Sequence, residues 1–88
     1  MMTNLDYNKV LIVDDEPDIL ELLTFEFEDL GFEVKTAANG KEALDILAEF
    51  NAQLVFSDIN MPKLTGLELL KAIQSIEGCK PYVVLATG

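Results

Sequence analysis

The sequence predicts an α/β fold in which a parallel sheet carries helices on both faces. Short apolar runs, each suited to a buried strand, alternate along the 88 residues with segments whose apolar residues recur at helical spacing. Strands that alternate with helices form right-handed βαβ units, and such units build a parallel sheet. The runs VLIV (10–13) and VVLA (83–86) are apolar without interruption, as expected for strands that are buried on both faces.

The first strand and the first helix are predicted within residues 9–31. Residues 9–13 (KVLIV) have the length and composition of a strand. The helical pattern that follows stops at Gly31, a residue type that often ends helices. The apolar stripe of this helix consists of Ile19, Leu22, Leu23, Phe27 and Leu30.

A second strand and helix follow, and then a third strand. Residues 32–37 (FEVKTA) predict the second strand, and residues 52–58 (AQLVFSD) predict the third. Asn39 with Glu42 resembles a capping box and marks the start of the second helix. The stripe of that helix consists of Ala43, Leu44, Leu47 and Phe50.

The last predicted elements are a third helix and a fourth strand. Thr65 with Glu68 again has the spacing of a capping box, and residues 81–86 (PYVVLA) predict the strand. The length allows one domain, spanning residues 1–88, and no repeat or linker interrupts it. The inner face of the third helix consists of Leu69, Leu70, Ile73 and Ile76.

Composition excludes several classes of function. Sixteen acidic residues against six basic residues give a net charge of −10, which would repel a phosphate backbone, so we expect no direct contact with nucleic acid. No apolar stretch is long enough for a membrane span or a secretory signal, so we expect a cytoplasmic protein with no membrane contact. The absence of His excludes Ser-His-Asp and Cys-His catalysis, and the single Cys79 excludes an internal disulfide.

Polar side chains stand at the carboxyl ends of three predicted strands. Asp14 and Asp15 follow the first strand, Asp58 ends the third, and Thr87 follows the fourth. In a parallel sheet these ends meet at one edge, where ligands of such folds bind. We therefore expect the four residues to converge on one site.

Asp15 also has a structural alternative, as the N-cap of the helix that begins near Pro17. Capping needs only one carboxylate, however, and Asp58 precedes a loop, MPKLTG, instead of a helix. Two carboxylates about 4 Å apart repel by about 4 kcal/mol at an effective dielectric constant of 20, so a cluster without a cation destabilises the fold. Oxygen ligands without His or Cys favour a hard cation, and a site with few protein ligands favours Mg²⁺ over Ca²⁺.

Four separated parts of the chain resemble the receiver domain of bacterial two-component response regulators. The resemblance spans residues 9–88 and implies a flavodoxin-like sheet with the strand order 2-1-3-4. The residues that carry it are Asp14-Asp15 after the first strand, Asp58 at the end of the third, Met61-Pro62 and Gly66 beyond it, and Thr87 after the fourth.

The resemblance also implies a role for each site residue. Asp58 would accept a phosphoryl group from the phosphohistidine of a histidine kinase. Asp15 and Asp58 would be carboxylate ligands of Mg²⁺, with Asn60 contributing its backbone carbonyl and Asp14 acting mainly through bound water. Thr87 would be the switch hydroxyl that donates a hydrogen bond to the new phosphoryl group. A domain of this kind is a signalling acceptor and not an enzyme.

The sequence departs from the family at its carboxyl end. Receivers continue into a fourth helix, a fifth strand with a Lys near its end, and a fifth helix, and none of these follows Gly88. We therefore expect a receiver truncated after its fourth strand, in which neither Lys9 nor Lys80 stands at the position of the family's Lys. An uncovered apolar fourth strand predicts self-association, along its edge or by exchanged elements.

Two other functions remain open at this point. Asp58-Ile59-Asn60 faintly resembles the nucleophile motif of haloacid-dehalogenase-like phosphatases, but no second acid stands two residues after Asp58. That interpretation also leaves Asp14 and Asp15 unexplained. An interaction module that works without phosphorylation is the stronger alternative, because of the missing carboxyl-terminal elements.

Overall fold

The predicted alternation of strands and helices is present throughout the part of the chain that the structure describes. A computed structural model of the chain describes residues 8–58, 65–75 and 81–86. The strands and the starts of the helices lie within one or two residues of their predicted positions, but α2 ends at Leu47, so the predicted stripe residue Phe50 lies beyond the helix. The elements are β1 (Lys9–Val13), α1 (Pro17–Asp29), β2 (Glu33–Ala37), α2 (Gly40–Leu47), β3 (Leu54–Asp58), α3 (Gly66–Gln74) and β4 (Tyr82–Ala86).

The four strands form one parallel sheet in the order β2-β1-β3-β4, as predicted. β1 lies inside the sheet, where Val10 pairs with Val34 on one side and with Leu54 on the other. β4 pairs with β3, so that Ala86 lies beside Asp58. The carboxyl ends of all four strands therefore lie at one edge of the sheet.

One face of the sheet carries α2 and α3 and holds the main hydrophobic core. Leu11 and Val55 are neighbours across β1 and β3, and both are fully buried on this face. Val83 of β4 packs against the same cluster. The buried members of the core are Leu11, Val13, Ala37, Ala43, Phe50, Ala52, Val55, Leu69 and Ile73.

The opposite face carries α1, and here the predicted stripe is only partly correct. Phe27 makes an edge-on contact with Phe56 of β3, with ring centroids 6.2 Å apart. Leu22, by contrast, is 55% exposed, and Ile19 and Leu30 are exposed as well. α1 contacts β1 and β2, and its half-buried residues are Leu20, Leu23, Thr24 and Phe27. The stripe is wider than the surface that this contact can bury.

Local hydrogen bonds fix the starts of α2 and α3. Thr65 and Glu68 form the predicted capping box, in which the Glu68 N–H donates to Thr65 Oγ1 and the Thr65 N–H donates to Glu68 Oε1. At α2 only half of the box forms. Asn39 Oδ1 accepts from the Glu42 N–H, but Glu42 Oε1 accepts from the Ala38 N–H. Both helices nevertheless begin within a residue of the predicted position.

The end of α1 follows the prediction closely. Gly31 has a φ of 95°, a left-handed conformation that glycine adopts without strain, and its N–H donates to the Glu28 carbonyl.

Within the described ranges, no helix has both the length and the apolar character needed to cross a membrane.

Candidate functional site

Three aspartates converge at the carboxyl edge of the sheet. Asp14 and Asp15 follow β1, and Asp58 is the last residue of the neighbouring strand β3. One carboxylate oxygen from each residue lies within 4.8 Å of those of the other two. Asp14 and Asp58 are half-buried, whereas Asp15 is exposed. The parallel pairing of β1 and β3 therefore places three negative charges at one point.

Asp14 is held in place by its backbone and by its side chain. Its N–H donates to the Ala37 carbonyl at 3.1 Å, which extends the β1–β2 ladder by one residue. Its Oδ1 accepts a hydrogen bond from the Glu16 N–H at 2.9 Å. The backbone N–H of Glu16, just before α1, thus fixes the position of the Asp14 carboxylate.

The alternative role of Asp15 as the N-cap of α1 is wrong. The N-cap is Glu16, whose side chain makes no capping hydrogen bond, and Pro17 is the first helical residue. Because the helix begins one residue later than Asp15 would require, the Asp15 carboxylate is left beside those of Asp14 and Asp58. Capping therefore does not explain the adjacent aspartates.

The pKa of Asp14 is raised above its ordinary value of 3.8. Partial burial is the largest cause, because it disfavours the charged form. The hydrogen bond from the Glu16 N–H works in the opposite direction, and the nearby charges of Asp58 and Asp15 raise the pKa further. The raised pKa of Asp14 therefore reflects mainly the energetic cost of burying its charge, with smaller contributions from repulsion by Asp58 and Asp15.

This cost predicts a pH dependence for the metal-free protein. A folded state that binds a proton more tightly than the unfolded state gains stability below pH 3.8 and loses that gain as the pH rises through the raised pKa of Asp14. Asp14→Asn removes the titration, and its amide oxygen can still accept from the Glu16 N–H. We therefore expect the variant to become increasingly more stable than the unmodified chain as the pH rises from 3.8 to neutrality.

Thermal melts of the two proteins with a chelator present test this dependence. A stability difference that stays constant or shrinks as the pH rises would show that the charge of Asp14 does not oppose folding.

An open groove borders the aspartates on the α1 face of the sheet. Its volume is about 340 Å³, and the side of α1 that bears Ile19 and Leu23 forms one wall. We did not predict these lining residues from the sequence. Phe56 could have been found from the sequence. Side chains alternate between the two faces of a strand, and Phe56 precedes Asp58 by two positions, so both lie on the same face of β3. The groove is lined by Asp14, Glu16, Ile19, Leu23, Phe56, Asp58 and Ala86.

The donor atoms of the site fit a hard divalent cation. Asp14, Asp15 and Asp58 offer only carboxylate oxygens, which are the ligands that Mg²⁺ and Ca²⁺ take in proteins. Mg²⁺ usually binds through one or two carboxylates and keeps several waters. The exposed position of Asp15 and the adjoining groove leave room for such waters.

Two of the residues that we named from the sequence cannot be placed. Asn60, expected to contribute its backbone carbonyl, and Thr87, expected to supply a hydroxyl, both lie outside the described residues. Their roles stay predictions.

Comparison with known proteins agrees with this geometry. The family model for the response regulator receiver domain matches residues 10–88. Among curated proteins, the chain is 43% identical over 81 residues to a transcriptional regulatory protein CpxR homolog from Haemophilus influenzae. That alignment covers 92% of the chain and 35% of the relative.

Solved structures give the same result. A response regulator receiver domain protein from Clostridium thermocellum is similar with a TM-score of 0.83 and 37% identity, over 90% of this chain and 64% of the other. The response regulator protein TrrA from Thermotoga maritima, in complex with Mg(2+)-BeF, has a TM-score of 0.73 and 46% identity, over 76% and 58% of the two chains. The chain thus spans about a third of the curated relative and less than two thirds of either solved chain.

Proposed function

Because the chain belongs to the response regulator receiver domain family, we propose that it is a phosphoacceptor of a cytoplasmic two-component relay, with Asp58 as the residue that is phosphorylated. The observation that carries the proposal is the cluster of Asp14, Asp15 and Asp58 at the carboxyl edge of the sheet. Since Asp58 would take up one phosphoryl group and keep it, the chain is a signalling acceptor and not an enzyme.

The chemistry is nucleophilic attack by a carboxylate on phosphorus. An oxygen of Asp58 forms the new bond to phosphorus while the bond to the donor's leaving group breaks. With a histidine kinase as donor, the broken bond is the one between phosphorus and the imidazole nitrogen, and the free imidazole takes up a proton. Asp58 ends a strand that pairs on both sides, which fixes the direction of its backbone.

Asp14 and Asp15 supply the charge that a cation requires. On their own, the two carboxylates would repel an incoming phosphoryl group, which is also an anion. A bound Mg²⁺ would neutralise the phosphoryl oxygens during the transfer. The TrrA structure contains Mg(2+)-BeF, which supports Mg²⁺ as the cation for this chain.

The partly apolar lining of the groove supports a protein as the phosphoryl donor. A donor that transfers its phosphoryl group to Asp58 can enter beside Ile19 and Ala86, which line the same groove as Asp58. Ile19 is partly exposed there and offers an apolar contact next to the carboxylates. A histidine kinase would thus contact both the reacting carboxylate and the first turns of α1.

A small-molecule donor tests the proposal without knowledge of the cognate kinase. We expect acetyl phosphate with Mg²⁺ to add one phosphoryl group per chain, detected by intact-mass spectrometry, and we expect none when a chelator replaces Mg²⁺. Asp58→Asn should take up no phosphoryl group. Asp45→Asn is its matched control, because Asp45 is exposed on α2 and lies outside the cluster, so the Asp45→Asn variant should be labelled like the unmodified chain.

Other outcomes would favour the competing functions. Repeated turnover of p-nitrophenyl phosphate would indicate a phosphatase. A folded chain that takes up no phosphoryl group would indicate an interaction module that works without phosphorylation. Labelling that is independent of Mg²⁺ would contradict the proposed role of the three aspartates.

A further inference from the structure

Ser57 places a hydroxyl inside the hydrophobic face of the sheet. It follows Val55 by two positions on β3, so it lies on the face that α2 and α3 cover, and it is fully buried. Its neighbours on the adjacent strands are Val13 of β1 and Leu85 of β4, which are both apolar. Among the residues that the structure describes, Ser57 is the one polar residue that is buried.

Packing alone does not explain a hydroxyl at this position. A buried hydroxyl loses its hydrogen bonds to water and destabilises the fold unless it finds a partner, whereas an apolar side chain between Val13 and Leu85 would have no such cost. The Ser57 hydroxyl donates to the backbone carbonyl oxygen of Asp58, 3.0 Å from its Oγ. The partner of this buried group is therefore the backbone of the proposed phosphoacceptor.

This hydrogen bond restrains Asp58 at a point where strand pairing supports it on one side. β4 pairs with β3 as far as Asp58, but the β1–β3 ladder ends one residue earlier, at Ser57. The position of a carbonyl oxygen defines the rotation about the bond between the Cα and the carbonyl carbon of its residue. Because the peptide group is planar, the same hydrogen bond also defines the direction in which the chain leaves Asp58.

We propose that Ser57 is a positioning residue, which holds the backbone of Asp58 in the orientation that phosphoryl transfer and Mg²⁺ binding require. The inference rests on the proposed function of Asp58. Asp58 lies on the opposite face of β3, so the Ser57 hydroxyl does not touch the reacting carboxylate and acts through the backbone. In-line transfer depends steeply on alignment, so a small rotation of Asp58 slows the reaction.

Ser57→Val and Ser57→Thr are the decisive pair of variants, because Val and Thr have the same shape and only Thr keeps the hydroxyl. With Mg²⁺ saturating, we expect Ser57→Val to lower the maximal rate of phosphoryl uptake from acetyl phosphate about tenfold. The acetyl phosphate concentration that gives half of this rate should change little. Ser57→Thr should recover most of the rate. In calorimetry without a phosphoryl donor, Ser57→Val should bind Mg²⁺ more weakly than Ser57→Thr.

Thr36→Val is the matched control, because it removes a hydroxyl by the same isosteric change at an exposed position of β2. It should leave both the rate and the Mg²⁺ affinity unchanged. Ser57→Ala adds no atoms to the core and should repeat the losses of Ser57→Val. Circular dichroism identifies the variants that are folded under the assay conditions.

Two results would overturn the positioning role and leave the proposed function intact. One is an equal loss of rate in Ser57→Val and Ser57→Thr, and the other is a folded Ser57→Ala that matches the unmodified chain. If the unmodified chain takes up no phosphoryl group, the proposed function fails, and Mg²⁺ affinity decides the role of Ser57. Equal affinities of Ser57→Val and Ser57→Thr would then exclude it, and weaker binding by Ser57→Val alone would support it.

Discussion

Replacing Asp58 by Asn will abolish phosphorylation and will also raise the stability of the metal-free protein. The variant lacks the carboxylate oxygen that would attack phosphorus, so acetyl phosphate should leave its mass unchanged. The substitution also removes one of three negatively charged carboxylates, which each have an oxygen within 4.8 Å of the others. At an effective dielectric constant of 20, a pair of charges 4.8 Å apart repels by about 3.5 kcal/mol, and exposure to solvent lowers that value. We expect a gain of about 1 kcal/mol, or about 4–8 °C in melting temperature.

The same melts, repeated with Mg²⁺, separate function from stability. Mg²⁺ should raise the melting temperature of the unmodified chain, because a ligand that binds only the folded state stabilises it, and should have little effect on Asp58→Asn. Asp45→Asn removes the same single negative charge outside the cluster, and it should keep the Mg²⁺ response. If Asp58→Asn is less stable than the unmodified chain without metal, the carboxylates do not repel one another as proposed.

The second large effect concerns the core. Leu69 of α3 is fully buried between α3 and the sheet, so Leu69→Ala should cost about 3 kcal/mol through lost burial and the cavity that remains. A domain of this size has a total stability of only about 4–13 kcal/mol. We therefore expect the midpoint of urea denaturation to fall sharply, with a large part of the population unfolded at low denaturant concentrations.

Leu67→Ala is the matched control on the same helix. Leu67 is 54% exposed, and its truncation should change stability by no more than about 0.5 kcal/mol. Both variants carry the same chemical change, two residues apart, so helix propensity cancels between them. Equal losses of stability would mean that α3 does not turn Leu69 towards the sheet.

The local signals in the sequence predicted much of the fold. Gly31 ends α1 and Thr65 with Glu68 starts α3 because these are short-range hydrogen-bonding motifs, which depend on few other parts of the chain. The gathering of Asp14 and Asp58 follows from parallel pairing, which fixes which strand ends are neighbours. The roles of these residues came from resemblance to a family, and they are not a consequence of spacing.

Features that depend on tertiary packing could not be predicted in the same way. The exposure of Leu22 depends on where α1 rests across the sheet, and helical periodicity does not contain that information. The groove beside Asp58 is assembled from three separate elements, so no single segment of sequence marks it.

The central position of β1 has a consequence for the order of folding. β1 pairs with β2, where Lys9 meets Glu33, and with β3, where Val10 meets Leu54. The first pairing closes a shorter loop than the second and so loses less chain entropy. The β1-α1-β2 unit can therefore form before β3 pairs with β1. Asp14 takes its place with that first unit, whereas Asp58 arrives with β3, so the acidic cluster and its repulsion arise only after the first half of the sheet is in place.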